Sequence, residues 1–287
     1  MAKLKVSELF YSIQGEGRYM GVPSVFLRTF GCNFTCDGFG MPKGEKSDER
    51  NVIAIQAKNF KNYRDLPLVH TGCDSYASWD VSFKHLSPVL DTNSITNTIM
   101  DILPHKRWED EHLVITGGEP LLGWQKSYPD LLGHPSNWRL KELTFETNGT
   151  QFLKDNFMEF LCNWRDGWYE AGNVRKEITF SVSPKLSVSG ESWNDAIKPD
   201  VIAQYQKVGY VYLKFVVASD KDVEEAEQAV NEYRNAGFTG PVYIMPLGGT
   251  DQLYSLNNRT VAEYAMKKGW RYSDRLQIPL FKNAWGT

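Results

Sequence analysis

Three of the four cysteines lie within the first 73 of 287 residues, and their spacing favours a shared inorganic centre. Cys32 and Cys36 stand on one short loop, GCNFTC, directly after the apolar segment PSVFLRTF. Gly31 allows the backbone to turn tightly there. Cys73, in GCDSYASW, can join them because closing a longer loop costs little additional entropy. Three thiolates would leave one iron of a four-iron cluster open.

An open iron suits S-adenosylmethionine chemistry, because the amine and carboxylate of the methionine moiety can chelate it. A fourth cysteine ligand would block that position. A structural zinc site completed by His70 or Cys162 would also account for the cysteines, although zinc sites usually contain closer C-x2-C pairs. Cys162, in NFMEFLCNW, has the spacing of a buried helix face, which favours a small core residue outside the site.

Polar motifs follow three of the apolar runs. TGGEP contains two glycines that let a ligand approach the backbone, and Glu119 offers a carboxylate for an ammonium group. ETNGT and SVSPK supply further candidates: Glu146, Asn148, Ser183 and Lys185. Each motif alone is also what an ordinary turn contains. Their joint occurrence at successive strand ends is the stronger signal, because parallel α/β folds assemble ligand sites there.

The elements that must position these residues are short strands rich in Val, Ile, Phe and Tyr: VSELF, PSVFLRTF, HLVITG, ELTFETN, EITFSVS, YVYLKFVVAS, PVYIMPL and RLQIPL. Helical patterns lie between them: SITNTIMDIL, DNFMEFLCNW, KDVEEAEQAVNEYRNAG and NRTVAEYAMKKG. In the third, Ser219 or Asp220 can cap the start and Gly237 can end the helix. The alternation predicts parallel βαβ units of an α/β fold, in a partial or complete barrel or an open doubly wound sheet. A barrel fits a site assembled from many strand ends.

Composition sets the broad class of protein. We expect a single domain over residues 1–287, with 41% hydrophobic residues and an insertion at about 37–72 that is charged and rich in Lys, Asn, Gly and Asp. A net charge of -3 and a pI near 6.0 favour a small-molecule partner over nucleic acid or anionic lipid. We find no leader-like start and no long apolar span, which favours a cytoplasmic location.

Together these motifs resemble the radical S-adenosylmethionine superfamily, and in particular its 7-carboxy-7-deazaguanine synthases, over nearly the whole chain outside the insertion. The resemblance rests on FYSIQGEG, PSVFLR with GCN, CDS with a following Trp, TGGEP, ETNGT, SPK, and the closing RLQIPL with WG. It implies a partial (β/α) barrel with outer helices and a 4Fe–4S cluster on Cys32, Cys36 and Cys73. It also implies a homodimer with a flavodoxin or ferredoxin as electron donor.

The resemblance further implies which residues bind the small molecules. S-adenosylmethionine would be held by Asp74, Gly118, Glu119, Glu146, Asn148, Ser183 and Lys185. The substrate, 6-carboxy-5,6,7,8-tetrahydropterin, would be recognised by Ile13, Gln14, Gly15, Glu16, Arg28, Thr116 and the terminal carboxylate at Thr287. Arg28 suits that task because a guanidinium can pair with a carboxylate in bidentate fashion. Without the resemblance, Gln14 and Glu16 would read as a polar turn and Arg28 as an ion-paired strand residue.

The implied reaction is a radical ring contraction. The reduced cluster cleaves S-adenosylmethionine, and the deoxyadenosyl radical takes a hydrogen atom from the pterin, which contracts with loss of ammonia to 7-carboxy-7-deazaguanine, an intermediate of queuosine-type biosynthesis. The family also implies Mg²⁺ at Ser75, where threonine is usual. Phe281 stands where many relatives carry a histidine that contacts the substrate carboxylate. Either Lys282 replaces that histidine electrostatically, or the insertion reaches over the site.

Two rival functions have distinguishable signatures. Another radical enzyme, such as a glycyl-radical activase, would share the cluster and TGGEP but lack SIQGEG and the Cys-Asp-Ser sequence. A zinc-stabilised binding protein could use the charged insertion to dock nucleic acid, but the net acidity and the strand-end motifs argue against it.

Overall fold

A mixed sheet runs through the centre of the molecule. The computed structural model describes residues 2–167 and 175–287. Its strands are β1 (Lys3–Ile13), β2 (Pro23–Thr29), β3 (Val89–Asp91), β4 (His112–Gly117), β5 (Glu142–Thr147), β6 (Glu177–Val182), β7 (Tyr210–Val217), β8 (Val242–Pro246) and β9 (Arg271–Tyr272). They form one nine-stranded sheet in the spatial order β3-β1-β2-β4-β5-β6-β7-β8-β9.

The strand directions explain where the polar motifs meet. From β2 to β9 each strand is parallel to its neighbour, whereas β1 is antiparallel to both β2 and β3. The central parallel strands β4 to β8 are mostly buried on both faces, so they appear in the sequence as continuous apolar runs. The carboxyl ends of these strands lie along one edge of the sheet, which brings the motifs that follow them together.

Helices connect the strands and pack against the sheet. They are α1 (Glu49–Ala54), α2 (Thr92–Ile102), α3 (Tyr128–Leu132), α4 (Asp155–Asp166), α5 (Trp193–Ala196), α6 (Pro199–Val208), α7 (Asp220–Asn235), α8 (Asp251–Lys268) and α9 (Gln277–Phe281). The predicted helical segments coincide with α2, α4, α7 and the second half of α8. Ser219 caps α7 through a reciprocal capping box with Asp222. In the described parts of the chain, no helix has the length and apolar character needed to cross a bilayer.

Residues 37–72, the predicted insertion, contribute to a second apolar cluster that is separate from the main core. This cluster includes Tyr63, Tyr76 and Phe83, and Trp285 from the C-terminal tail packs against it. The Trp285 ring centroid lies 5.5 Å from that of Tyr63 and 5.5 Å from that of Tyr76. The insertion and the tail are therefore held to each other by aromatic contacts.

The predicted strand RLQIPL is wrong. The segment forms a turn followed by α9, in which the Leu280 amide donates to the Leu276 carbonyl at 3.1 Å and the Lys282 amide to the Ile278 carbonyl at 2.8 Å. A short apolar run has no period that separates a strand from a buried helical turn. Pro279 is compatible with the helix because it lies in the first turn, where an amide hydrogen is not needed.

Candidate functional site

A cavity of about 1150 Å³ opens at the carboxyl edge of the parallel strands, bounded also by the insertion and the C-terminal tail. Of the residues predicted for the cluster, cofactor and substrate, only Glu119 is absent from its wall. Those on the wall are Ile13, Gln14, Gly15, Glu16, Arg28, Cys32, Cys36, Cys73, Asp74, Ser75, Thr116, Gly118, Glu146, Asn148, Ser183, Lys185 and Thr287. The fold thus collects residues that lie far apart in the sequence.

The three cysteines share one part of this wall. Cys36 is buried, and Cys32 and Cys73 are partly buried in the same small cluster. The Cys36 backbone has a φ of 52°, a left-handed conformation that is uncommon outside glycine. The Phe34 amide lies 3.4 Å from the Cys32 sulfur, and the Trp79 indole nitrogen lies 3.4 Å from the Cys73 sulfur. Both sulfurs therefore receive a hydrogen-bond donor from the protein.

The chemistry of these thiols fits an iron–sulfur cluster. Burial raises the pKa of Cys32 to about 12 and that of Cys73 to about 11, so both need a cationic centre to become thiolates. In residues 2–167 and 175–287, no three His, Cys, Asp or Glu side chains are grouped to hold a single metal ion. A four-iron cluster does not require that grouping, because each thiolate binds a different iron.

Neither partner suggested for a zinc site forms a metal-holding group with the three cysteines in the described residues, although His70 lines the same cavity. The His70 ring is largely exposed, and its Nδ1 lies 3.7 Å from the Glu49 carboxylate. Cys162 lies on α4 and packs against the main hydrophobic core, as the helix spacing predicts.

The TGGEP turn lies directly against the cysteine loop. The Thr29 and Gly117 positions are paired across β2 and β4, and the Glu119 amide donates to the Gly31 carbonyl at 2.7 Å. A β-carbon built on Gly118 would lie 2.5 Å from the Gly31 carbonyl oxygen, closer than real β-carbons approach. Glycine at this position allows the two segments to close together.

The Glu119 side chain does not reach the cavity, which corrects the expectation that its carboxylate meets an ammonium group there. It is fully buried. Its oxygens accept hydrogen bonds from the Thr147 hydroxyl at 2.8 Å, the Asn148 amide at 2.7 Å and the Leu121 amide at 3.0 Å. Burial raises its pKa to about 7 despite these bonds. The carboxylate ties the TGGEP turn to the ETNGT turn, a long-range pairing that no local pattern encodes.

Side chains from ETNGT and SVSPK do reach the cavity. They are Glu146, Asn148, Ser183 and Lys185. The Lys185 amine donates to the Ser183 hydroxyl at 3.2 Å. Glu146 accepts a hydrogen bond from the Gln14 side chain at 3.0 Å, which joins the ETNGT turn to the SIQGEG segment after β1.

Glu16 is the centre of an ion network on the cavity wall. Its carboxylate pairs with Lys214 of β7, lies 3.2 Å from Nε of Arg275 and accepts from Nε2 of Gln277 at 2.8 Å. Burial alone would raise the pKa of Glu16, but the charges of Lys214 and Arg275 outweigh it and lower the pKa to about 2. All three partners lie outside the residues that the sequence motifs predict for the site. For Lys214, a lysine inside a buried strand was the available signal.

A second chain of polar contacts passes through Arg28. Its Nε donates to Glu8 at 2.9 Å, and its Nη1 donates to the Ser75 hydroxyl at 3.2 Å. Asp74 accepts from that hydroxyl at 3.2 Å and from Nη2 of Arg275 at 2.6 Å. Burial opposes ionisation of Asp74, yet the Arg275 charge lowers the pKa of that carboxyl. Arginines and carboxylates thus alternate along this part of the wall.

The insertion and the tail complete the wall. Segments within 38–45 and 68–72 line the cavity. That the insertion reaches over bound substrate stays a prediction. The alternative role for Lys282 is wrong, because its amine lies 3.0 Å from the Asp251 carboxylate in an exposed ion pair. Neither Lys282 nor Phe281 lies on the cavity wall, and both are exposed at the end of the short helix α9. Thr287 does line the cavity.

Comparison with known proteins identifies the family. No family model matches the chain. A 7-carboxy-7-deazaguanine synthase of Halobacterium salinarum is 30% identical over 298 aligned positions, which cover 98% of this chain and 91% of the relative. The chain belongs to the 7-carboxy-7-deazaguanine synthase family. A second relative of the same name, from Pyrobaculum aerophilum, is 26% identical, with coverage of 99% of this chain and 97% of the relative.

A solved structure of QueE from Escherichia coli has the same fold. It matches with a TM-score of 0.53 and 19% sequence identity, over 94% of this chain and 93% of that one. The similarity extends over nearly the whole of both chains and agrees with the predicted α/β fold.

Proposed function

We propose that this protein is a radical S-adenosylmethionine lyase that converts 6-carboxy-5,6,7,8-tetrahydropterin to 7-carboxy-7-deazaguanine with loss of ammonia. The observation that carries the proposal is the convergence of three cysteines, the TGGEP glycines and the polar strand ends on one cavity. Two relatives named 7-carboxy-7-deazaguanine synthase match over nearly the whole chain. When bound, the cluster and S-adenosylmethionine supply a one-electron reductive cleavage that generates the radical for hydrogen abstraction.

The chain's own residues would hold and shield these groups. Cys32, Cys36 and Cys73 would bind three irons of the cluster. Gly118 would border the cofactor on the cavity wall, where its lack of a side chain lets the cysteine loop pack against the TGGEP turn. Around it, the proposed contacts of S-adenosylmethionine are Asp74, Glu146, Asn148, Ser183 and Lys185. Glu119 would support this site through the turns that its buried carboxylate connects.

The substrate would bind beside the SIQGEG segment. Proposed contacts are Ile13, Gln14, Gly15, Glu16, Arg28, Thr116 and the tail at Thr287. Lys214 and Arg275 hold Glu16 as an anion, which suits recognition of the amino and amide hydrogens of a pterin ring. To pair with the substrate carboxylate through both Nη atoms, Arg28 would have to give up its hydrogen bond to Ser75. The insertion would exclude water from this part of the cavity.

Magnesium, a homodimer and a flavodoxin or ferredoxin donor are further parts of the proposal. The Ser75 hydroxyl is an oxygen donor on the cavity wall, as a hard cation requires. It now bonds to Arg28 and Asp74, so Mg²⁺ would displace the Arg28 contact and take other ligands from the bound small molecules. Sedimentation of the purified chain tests the dimer, and cluster reduction by each donor tests the electron source.

The deciding experiment is anaerobic turnover. The reconstituted, reduced protein is incubated with S-adenosylmethionine, Mg²⁺ and 6-carboxy-5,6,7,8-tetrahydropterin, and the product is followed by mass spectrometry. We expect 7-carboxy-7-deazaguanine. Formation of 5'-deoxyadenosine without it would indicate another radical enzyme, and a colourless protein with bound zinc would indicate a binding module.

A pair of cysteine variants supplies the matched control. Cys73→Ala should abolish the brown colour and the iron content, because it removes one of three ligands. Cys162→Ala should retain both, because that side chain packs on the main core away from the other cysteines. Equal iron content in the two variants would contradict the assigned ligand set.

A further inference from the structure

A carboxylate distant in the sequence holds the loop that carries Cys36. Oε1 of Glu191 accepts the amide hydrogen of Thr35 at 2.9 Å and that of Cys36 at 2.7 Å. The Thr35 hydroxyl lies 3.5 Å from the same oxygen. One carboxylate oxygen therefore satisfies two successive backbone donors at the predicted cluster ligand.

A second contact fixes the same two segments together. The Gly38 amide donates to the Ser189 carbonyl at 2.9 Å. A β-carbon on Gly38 would lie 2.5 Å from the Gly190 amide nitrogen, so any side chain at position 38 would clash with the backbone of the other segment. The Glu191 amide in turn lies 3.3 Å from the Ser189 hydroxyl. The segment after β6 is thus anchored to the cysteine loop by backbone as well as by side chain.

If Glu191 did not accept them, the amide hydrogens of Thr35 and Cys36 could bind another anion. Successive amide hydrogens next to a left-handed residue form a concave anion site, and such sites commonly receive the sulfides of iron–sulfur clusters. Cys36 has that left-handed conformation. Here the concavity is filled by the protein's own carboxylate. Hydrogen bonds to cluster sulfur and positive net charge both raise the reduction potential of a cluster, and Glu191 opposes both.

We propose that Glu191 is a positioning residue for the cluster, which fixes the Cys36 loop and keeps the reduction potential low by withholding two amide donors and adding a negative charge. A low potential is useful to an enzyme that must pass an electron to a sulfonium. The proposal rests on the cluster assignment of the proposed function and extends it to a residue that does not line the cavity.

The test compares wild type with three variants after anaerobic reconstitution. Glu191→Gln keeps an oxygen that can accept the amide hydrogens but removes the charge, whereas Glu191→Ala removes both. Glu225→Gln is the matched control, because Glu225 accepts from the Ser187 amide at 2.7 Å and hydroxyl at 2.6 Å at the other end of the same segment. The readouts are the midpoint potential from a redox titration followed by electron paramagnetic resonance, and the rate of iron loss to a chelator.

We expect a more positive midpoint potential in both Glu191 variants and wild-type iron retention in Glu191→Gln. Glu191→Ala should lose iron several-fold faster, and Glu225→Gln should keep the wild-type potential. An unchanged potential in Glu191→Gln, or an equal shift in Glu225→Gln, would overturn the role of Glu191 while the cluster assignment stands. A wild-type protein that assembles no 4Fe–4S signal would overturn the proposed function as well, so the two failures are distinguishable.

Discussion

Gly118 and Cys32 are packed so closely that a β-carbon built on Gly118 would lie 2.6 Å from the β-carbon of Cys32. The contact joins the turn after β4 to the first cysteine of the predicted cluster. It depends on the parallel pairing of β2 and β4, which places the ends of both strands side by side. Glycine is therefore required at position 118 because a side chain would clash with Gly31 and Cys32, and not because of its backbone conformation.

Gly118→Ala should disturb the cysteine loop. The added methyl group meets backbone as well as the cysteine, so the segments must separate, at a cost of about 1–3 kcal/mol in the free energy of unfolding. We expect a lower iron content after reconstitution and a lower melting temperature. Gly123→Ala is the control: its φ of +83° adds strain of about 1 kcal/mol, but nothing lies within 4 Å of the new carbon. Wild-type iron content in Gly118→Ala would contradict this prediction, because the cysteine loop would then accommodate the methyl group without losing the cluster.

Trp285 should be a major support of the insertion. It packs against Tyr63 and Tyr76, so Trp285→Ala should lower the free energy of unfolding by about 3 kcal/mol, the lower end of the usual range because the ring is partly exposed. Its indole nitrogen is buried and has no hydrogen-bond partner in the described part of the chain. Trp285→Phe should therefore cost much less, since it keeps the ring contacts and loses no hydrogen bond.

Denaturant unfolding and limited proteolysis measure these effects. Cleavage within 37–72 should become faster in Trp285→Ala and remain near wild type in Trp285→Phe. Equal destabilisation by both substitutions would mean that the shape of the indole, and not aromatic packing alone, holds the insertion to the tail.

Local patterns predicted the parts of this site that are local in origin. Cys32 and Cys36 share a loop, and the polar residues after β4, β5 and β6 meet because parallel strands end at one edge. What the patterns missed depends on contacts between distant segments. The pattern RLQIPL predicts a strand at Arg275 because a short apolar run has no distinctive period. Glu119 is buried because its carboxylate accepts hydrogen bonds from the ETNGT turn, and the TGGEP motif alone does not specify that contact.

Replacing Glu16 and replacing its partner Lys214 should lower the free energy of unfolding by different amounts. Both side chains are largely buried, with 15% and 6% of each exposed. Glu16→Gln leaves Lys214 without its ion-pair partner, which should cost about 3–5 kcal/mol in unfolding free energy. Lys214→Met should cost less, because Glu16 still pairs with Arg275 and bonds to Gln277. The double variant should be more stable than Glu16→Gln alone. Additive losses in denaturant unfolding would contradict this coupling.

His112 should make the stability of the fold depend on pH. Its ring is fully buried at the start of β4, where Nε2 lies 2.8 Å from the Thr144 hydroxyl and the Tyr19 ring packs at 4.2 Å. Burial, helped by the positive charge of Arg18, lowers the pKa of His112 to about 3. The unfolded chain, with an ordinary value near 6.5, binds the proton more readily. The stability contributed by the neutral ring is therefore complete above about pH 6.5 and is lost as the pH falls toward 3.

Between pH 7 and pH 5 this group alone should remove about 2 kcal/mol from the free energy of unfolding. The measurement is the unfolding free energy of wild type and His112→Gln across that range. The glutamine variant should be less stable at pH 7, because a shorter hydrogen-bonding group replaces the packed ring, but its stability should fall less steeply with acid. Parallel pH profiles for the two proteins would show that other groups control the acid sensitivity.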